Sequence, residues 1–564
     1  MKIKITLVLL SLMLIKWSLV GQVHHEWSFG IGSKNTDYPG NSFADHAGNI
    51  YSLMEMLDSV DIDPGPGLEI IAPVNGVSLV LTKTDEDGNL VFGIPFYGNE
   101  YSYGTITEVA QNQIRLVIDF RDSLSCEHNG QREKLFSQPG KYNAILTLDL
   151  NGNITDSHFF HSSEDLYFSS FHTLPDGRIL MAGTFKDTFA LTPQSPFTLY
   201  SDGDSDGFIL LADQDYNTQW VRHFKGNKND HVWSMSVSNQ NRISFSVGYK
   251  DTISMVTQQG PITQVTEGGA DDLFGYMNLS GTIEKVFFLR GLEDQDVRDI
   301  QSDASGNIYI CGIFENTTNF AGPSQTPEYH SPTAFSDGFV AKYTESGNLV
   351  WVNIYTDTYS AGVYNLELKR GNELYVNGSF HLKADLNPGP DSLIVQGTNS
   401  ASPFISKLSL DGDFIWAIPF LAYNRAGIRG LMINTETSRI VANGYFFKSI
   451  HCSETPDEDW LHTDYGDDIF LLSLSEENVI TATQDQAPIE IGVYPNPTSG
   501  QIHINAEQEI KQVSVQSFDG KLIGNWNFTP SEHQEMDLQG LPSGMYYLSI
   551  QSGDQWSTEK IVIQ

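Results

Sequence analysis

The sequence predicts an all-β protein on three observations. Apolar and polar residues alternate over short runs such as 339–343 and 374–380, the two-residue period of half-buried strands. Glycine numbers 49 residues and clusters with Asn and Asp at turns, as many short reversing strands require. No long amphipathic helical pattern follows the first twenty residues. At 564 residues the chain exceeds one ordinary core and suits one large repeat domain followed by a small one.

The N-terminus carries two lysines in Met1–Lys4, then an apolar run from Ile5 to Ile15 that is too short to span a membrane comfortably. Ser18-Leu19-Val20-Gly21 leads into polar sequence. A positive start, an apolar middle and a small residue before the mature chain predict a signal peptide over 1–21, cut between Gly21 and Gln22.

The middle of the chain is internally repetitive. The clearest unit spans 306–354. It contains Gly306-Asn307-Ile308-Tyr309-Ile310-Cys311-Gly312-Ile313-Phe314, a long loop, Ser336-Asp337-Gly338-Phe339-Val340-Ala341-Lys342-Tyr343 and, after a Ser346-Gly347-Asn348 turn, Leu349-Val350-Trp351. The glycine and aromatic that end its first segment return as Gly183/Phe185, Gly378/Phe380 and Gly444/Phe446, and more loosely at Phe120 and Tyr249. Units start near 48, 110, 176, 241, 306, 371 and 438, a period of roughly 65 residues. A further short strand precedes each, as at 296–302, 362–368 and 427–433. Four antiparallel strands repeated seven times predict a seven-bladed β-propeller over 22–475, because one such sheet cannot bury both faces alone. The seventh unit lacks the outer strand that carries Trp220, Trp351 or Trp416 in its relatives. His25-Glu26-Trp27-Ser28-Phe29-Gly30 matches that strand, so residues 24–30 are expected to close the last blade. These repeats, with Asp61-Ile62-Asp63-Pro64-Gly65-Pro66-Gly67 and Asp385-Leu386-Asn387-Pro388-Gly389-Pro390, resemble the SBBP propeller repeats of bacterial extracellular proteins. That resemblance implies a fold and leaves activity open.

Residues 476–487 read as a polar linker. From 488 the pattern becomes Tyr494-Pro495-Asn496-Pro497-Thr498-Ser499-Gly500, strands at 501–505 and 511–518, an Asp519-Gly520-Lys521 turn, Leu541-Pro542-Ser543-Gly544-Met545-Tyr546-Tyr547-Leu548 and a closing Lys560-Ile561-Val562. Short strands with frequent turns predict a small Ig-like β-sandwich over 488–564. The motif residues Pro495, Asn496, Pro497, Gly500, Gly520, Lys521, Gly544, Tyr546 and Lys560 resemble the type A C-terminal sorting domain of the type IX secretion system of Bacteroidetes-like bacteria. The chain departs from many relatives by ending in Gln564. The resemblance implies inner-membrane export, passage through the type IX translocon, removal by a sorting protease, and release or attachment at the cell surface.

The net charge of −38, from 70 acidic and 32 basic residues, repels phosphate backbones and argues against a nucleic-acid partner. Cys126, Cys311 and Cys452 are too few and dispersed for a disulfide framework and are expected to be unpaired. Asp202-Gly203-Asp204-Ser205-Asp206-Gly207 fits the start of a calcium loop. Asp213 stands where the bidentate Glu belongs, however, and Phe208–Ala212 should be strand, so a strand-entry turn is favoured. Asp61, Asp63 and Asp385 could face a hard cation, yet Pro and Gly turn chemistry explains those loops. No cofactor is required, and calcium is the one to test. Nucleophile elbows, zinc helices and phosphate loops are missing; His161, His172 and His231 read as scattered singles, and His24 and His25 beside Glu26 sit at the expected mature terminus, where metal affinity is usually incidental. A non-enzymatic binding or adhesion scaffold for an extracellular glycan or protein is favoured. The rival, an extracellular hydrolase or lyase acting on polysaccharide or peptide, would need Asp45, His46, Glu108, His172, His231 and Asp299 to converge at one mouth of a central channel. The variable segments 58–76, 121–141, 317–336 and 451–467 are expected to be loops.

Overall fold

The computed structural model describes residues 23–564 apart from 46, 75–77, 99–102, 111, 191–197, 239, 322–327, 331–334, 370–372, 435–438, 454–459, 464, 477–490, 518–521 and 553–554. The expected leader with its Gly21–Gln22 junction, most of the expected linker, His46, Gly520 and Lys521 lie outside the described residues. The chain forms two compact units that divide between residues 478 and 479. Among the described residues the structure is all-β, and no helix is long and apolar enough to cross a membrane.

In the first unit, strands pair antiparallel in consecutive groups of four. The first group is Tyr38–Ala44, Ile50–Met56, Ser78–Thr84 and Leu90–Gly98. Five more follow with the same order, beginning at Tyr103–Ala110, Leu166–Thr173, Asp230–Val237, Gln295–Ser302 and Ala361–Lys369. The seventh takes three strands from the end of the unit, Ala422–Asn434, Arg439–His451 and Asp468–Glu476, and its fourth from the beginning, Val23–Ile31. There Trp27 lies opposite Ser473 and Phe29 opposite Leu471, with a bulge between His25 and Trp27. The first strands of successive sheets touch in cyclic order, and that of the seventh touches that of the first.

The hairpin turns explain the recurring Gly-Asn. Asp85 Oδ1 accepts the backbone N–H of Asp87 at 3.0 Å and of Asn89 at 2.8 Å. Asp149 and Asp303 do the same in their own turns. A carboxylate four residues before the Asn therefore caps the turn from within, and Gly88 supplies the left-handed φ of +85° the reversal needs.

Sheets are clasped to their neighbours through these turns. The indole N–H of Trp220 donates to Leu279 O at 3.0 Å, that of Trp351 to Leu410 O at 3.2 Å, and that of Trp27 to Glu86 O at 3.1 Å. Each acceptor belongs to the hairpin turn of the next sheet, so Trp27 joins the seventh sheet to the first. Lys83 Nζ to Leu150 O at 3.0 Å and Lys342 Nζ to Leu410 O at 2.8 Å add a second tie of the same kind. In the seventh sheet Asp468–Glu476 pairs with Val23–Ile31 from the far end of the unit's sequence, so no hairpin turn joins its third and fourth strands. Glu476 fills the gap: its carboxylate accepts from Trp416 Nε1 at 3.0 Å, Lys407 Nζ at 2.5 Å and Tyr375 OH at 2.6 Å. In the third sheet Tyr216 occupies the glycine place at φ +60°, and its ring packs 4.3 Å from that of His158 on the preceding sheet. The aromatic partner has changed sides there.

Apolar clusters fill the spaces between consecutive sheets, as where Val117 and Ile145 of the second meet Phe168, Met181 and Phe208 of the third. Two expectations need correction. The segment 121–141 is not a loop: Gln113–His128 and Gln131–Asp149 continue as a paired ribbon to a turn at Asn129-Gly130. Arg242–Thr257 and Gly260–Asn278 form a second such ribbon, so the strands read as ending at Phe120 and Tyr249 run further. Alternation such as Ile253 and Met255 buried with Val256 exposed is the sequence signal for it.

In the second unit, 501–505 and 511–518 are not separate strands. Gln501–Ser517 is continuous with a register break between Asn505 and Ile510, and it pairs with Ile491–Tyr494, Leu522–Asp537 and Gly544–Ser552. Gln555–Ile563 closes the sheet over a core including Ile504, Val513, Leu548 and Ile561.

Candidate functional site

Every insertion between the second and third strands of a sheet emerges on one face of the first unit, the face where first strands begin. On that face a cleft of about 530 Å³ opens between the third and fourth sheets. Tyr167, Trp233, His231, Lys186, Asp204 and Asp165 line it. Tyr167 is 47% exposed. Trp233 occupies a register shift between Val232 and Ser234, and an equivalent shift holds Arg298 in the next first strand. The bulge turns each of these side chains out of the regular alternation. The Arg298 guanidinium lies 4.5 Å from the Trp233 ring and is held by Asp296 at 2.6 Å. The His231 ring sits 5.3 Å from Trp233, and burial lowers its pKa against the pull of Asp296. An aromatic wall with one lysine, one imidazole and exposed carboxylates at the rim is a surface for recognition.

Further along the same first strands, a polar belt ties sheet to sheet. Ser170 Oγ accepts Met235 N at 3.1 Å, and His172 Nε2 donates to Met235 O at 2.9 Å. Ser234 Oγ donates to Asp299 Oδ1 at 2.7 Å, while Asp299 Oδ2 accepts Leu366 N at 3.0 Å. Asn443 Nδ2 donates to Gly40 O at 2.7 Å and carries the belt across the join between seventh and first sheets. Burial pushes the Asp299 carboxyl up to about 6, and burial with the Asp299 charge pushes Glu367 up to about 7.

Among the described residues, the candidates for a catalytic mouth are engaged in separate local roles. Asp45 caps its own turn, accepting from Ala47 N and Asn49 N. Asp299 and His172 belong to the belt, and His231 stands at the cleft. His46 and the Glu108 side chain lie outside the described residues.

The acidic loops are engaged locally. Asp202 pairs with Lys225 at 2.7 Å, Asp206 is buried against His223 Nε2 at 2.6 Å, and Asp204 faces the cleft. Asp61 Oδ1 accepts the N–H of Asp63 at 3.2 Å and of Glu69 at 2.9 Å. Asp385 repeats this with Asn387 at 3.1 Å and Leu393 at 2.8 Å. Asp63 Oδ1 accepts Gly65 N at 2.8 Å. His24 and His25 lie in the closing strand, and His161 packs its edge on Tyr142. Cys126, Cys311 and Cys452 are buried and none is in a disulfide.

In the second unit the motif residues have structural work. Asn496 Nδ2 donates to Lys560 O at 2.7 Å and its Oδ1 accepts Val562 N at 3.0 Å, so the opening motif grips the closing strand. Thr498 N adds a bond to Val562 O at 2.8 Å. Gly500 has φ +123°, and a Cβ there would meet Gln539 at 2.8 Å. Tyr546 OH donates to Pro542 O at 2.9 Å. Pro495, Pro497, Gly544 and Lys560 are exposed.

Residues 492–564 match the family described as secretion system C-terminal sorting domain. The second unit is therefore a type IX sorting domain, and the protein is secreted or attached to the outer membrane at the cell surface, delivered by the type IX secretion machinery. No curated protein matches the chain. A solved protein of unknown function from Dyadobacter fermentans DSM 18053 is 11% identical. It covers 81% of this chain and 100% of its own, with a TM-score of 0.34. Quinohemoprotein alcohol dehydrogenase ADHIIG from Pseudomonas putida HK5 is 10% identical and covers 85% of this chain and 79% of its own, at 0.35. At such scores neither likeness carries an argument about this chain.

Proposed function

We propose that the first unit is a seven-bladed β-propeller that acts outside the cell as a non-enzymatic binding scaffold for a glycan. The observation that carries this is the cleft between the third and fourth sheets, where Tyr167 and Trp233 offer flat apolar faces and Lys186, His231 and Asp204 offer a polar rim. A sugar ring presents C–H faces to such walls and hydroxyls to such a rim. In this reading residues 1–21 are a signal peptide removed after Gly21, 22–476 the propeller, whose last strand takes in Glu476 from the expected linker, 477–487 a linker and 488–564 the removable sorting domain.

A glycan array with residues 22–487 tests the proposal. Selective binding that Trp233→Ala weakens at least about tenfold supports it, a loss of 1.4 kcal/mol. Binding that survives Trp233→Ala and Tyr167→Ala would place the ligand elsewhere, and release of new reducing ends from bound glycans would make the protein an enzyme.

A further inference from the structure

We propose that the sorting domain binds one divalent transition-metal ion of the zinc class through His503, His533 and Glu535. Strand alternation places them together. Ile502, Ile504 and Met536 point into the core, so His503, Asn505, His533 and Glu535 share the outer face. His503 lies opposite Glu535 in the ladder, and Asn505 lies opposite His533.

Each of the three ligands offers an atom within 4.8 Å of the other two, and no other group of three or more such side chains among the described residues comes as close. His503 Nδ1 and Glu535 Oε1 are 3.4 Å apart. That is close to the edge of a tetrahedron drawn around an ion with bonds of roughly 2.0–2.1 Å. The imidazole rings of His503 and His533 stack at 5.6 Å and 17°.

The surroundings already orient the ligands. His533 Nδ1 hydrogen-bonds Asn505 Oδ1, which leaves the lone pair of that imidazole on Nε2. Asn505 is fixed in turn by donating from Nδ2 to Tyr494 OH at 2.8 Å, and the Tyr494 ring stacks on His503 at 5.6 Å. Two imidazoles and one carboxylate suit zinc, copper or nickel, whereas calcium and magnesium prefer all-oxygen shells. Three protein ligands leave the remaining position to water. The ion would bridge two long strands beside the register break at Asn505, where the ladder is weakest.

The test uses residues 22–564 made in a host without type IX secretion, so that the domain stays attached. Titration calorimetry with zinc chloride at pH 7.5 should saturate at one ion per chain, and calcium chloride should give no saturable heat. His503→Ala and, as a milder change, Glu535→Gln should each weaken zinc binding at least about tenfold. The melting profile without metal checks that both remain folded. His24→Ala/His25→Ala should leave binding unchanged. No saturable zinc binding, equal affinity in wild type and His503→Ala, or loss of the site only in the His24/His25 variant would each overturn the proposal.

Discussion

Glu476 does with a side chain what a backbone carbonyl does elsewhere in the ring. Burial alone would raise its pKa, but hydrogen bonds from Lys407, Tyr375 and Trp416 hold it below the ordinary value. Glu476→Ala should cost about 3 kcal/mol, because Lys407 is left buried with a single carboxylate partner, Glu373. The checkable result is a lower urea midpoint with an unchanged slope. Asp299→Asn should cost about 2 kcal/mol, since a carboxamide must turn a donor toward either the Leu366 N–H or the Ile300 N–H. Glu476 was not legible as special in the sequence, and Asp299 was legible only as one of six candidates for a catalytic mouth. Glu476 sits in a polar run that reads as linker, and Asp299 is one aspartate among many until two neighbouring strands bring it donors. His231 was visible only as an isolated histidine, because its companions Tyr167 and Trp233 come from different sheets.

At the scale of elements, the N-terminal strand and the sorting motif each pin a distant partner. Without residues 23–31, the edge of Asp468–Glu476 would expose unpaired N–H and C=O groups beside Phe470 and Leu472. A chain starting at residue 32 should therefore aggregate or dimerise in gel filtration where the longer chain does not. Asn496→Ala removes both bonds to the last strand and should destabilise the sorting domain by about 1–2 kcal/mol, seen as faster proteolysis of that domain and reduced export. The closing strand could be anticipated from Trp27, since the tryptophan recurs and its indole needs an acceptor. The ribbons at 121–141 and 250–270 could not be anticipated as readily. Their exposed polar positions look like loop composition, and only the period of two distinguishes them.

Several carboxylates of the first unit are buried. Burial raises Asp37, Asp119, Asp271 and Asp468 to about 6 and, with the Asp206 charge, Asp230 to about 8. For a carboxyl raised on folding, the stabilisation is full below its unfolded pKa and is lost as pH rises through the folded value. The turn carboxylates Asp85, Asp149 and Asp213 are lowered and act oppositely, but only at or below the ordinary carboxylate range. A net charge of −38 adds self-repulsion at high pH. The melting temperature should therefore be several degrees higher at about pH 5 than at about pH 8. Equal melting at both would mean that the buried carboxyls ionise freely.

That behaviour presupposes a ring held shut by its own first residues, through Val23–Ile31 against Asp468–Glu476 and Trp27 on the turn of the first sheet. Hydrogen exchange of backbone amides reads this directly in residues 22–487. Amides of 23–31 that are bonded to 468–476 should exchange as slowly as those of 468–476, and the two segments should lose protection together as urea is added. Exchange of 23–31 at the rate of free chain, with the sheets still protected, would contradict the closed ring.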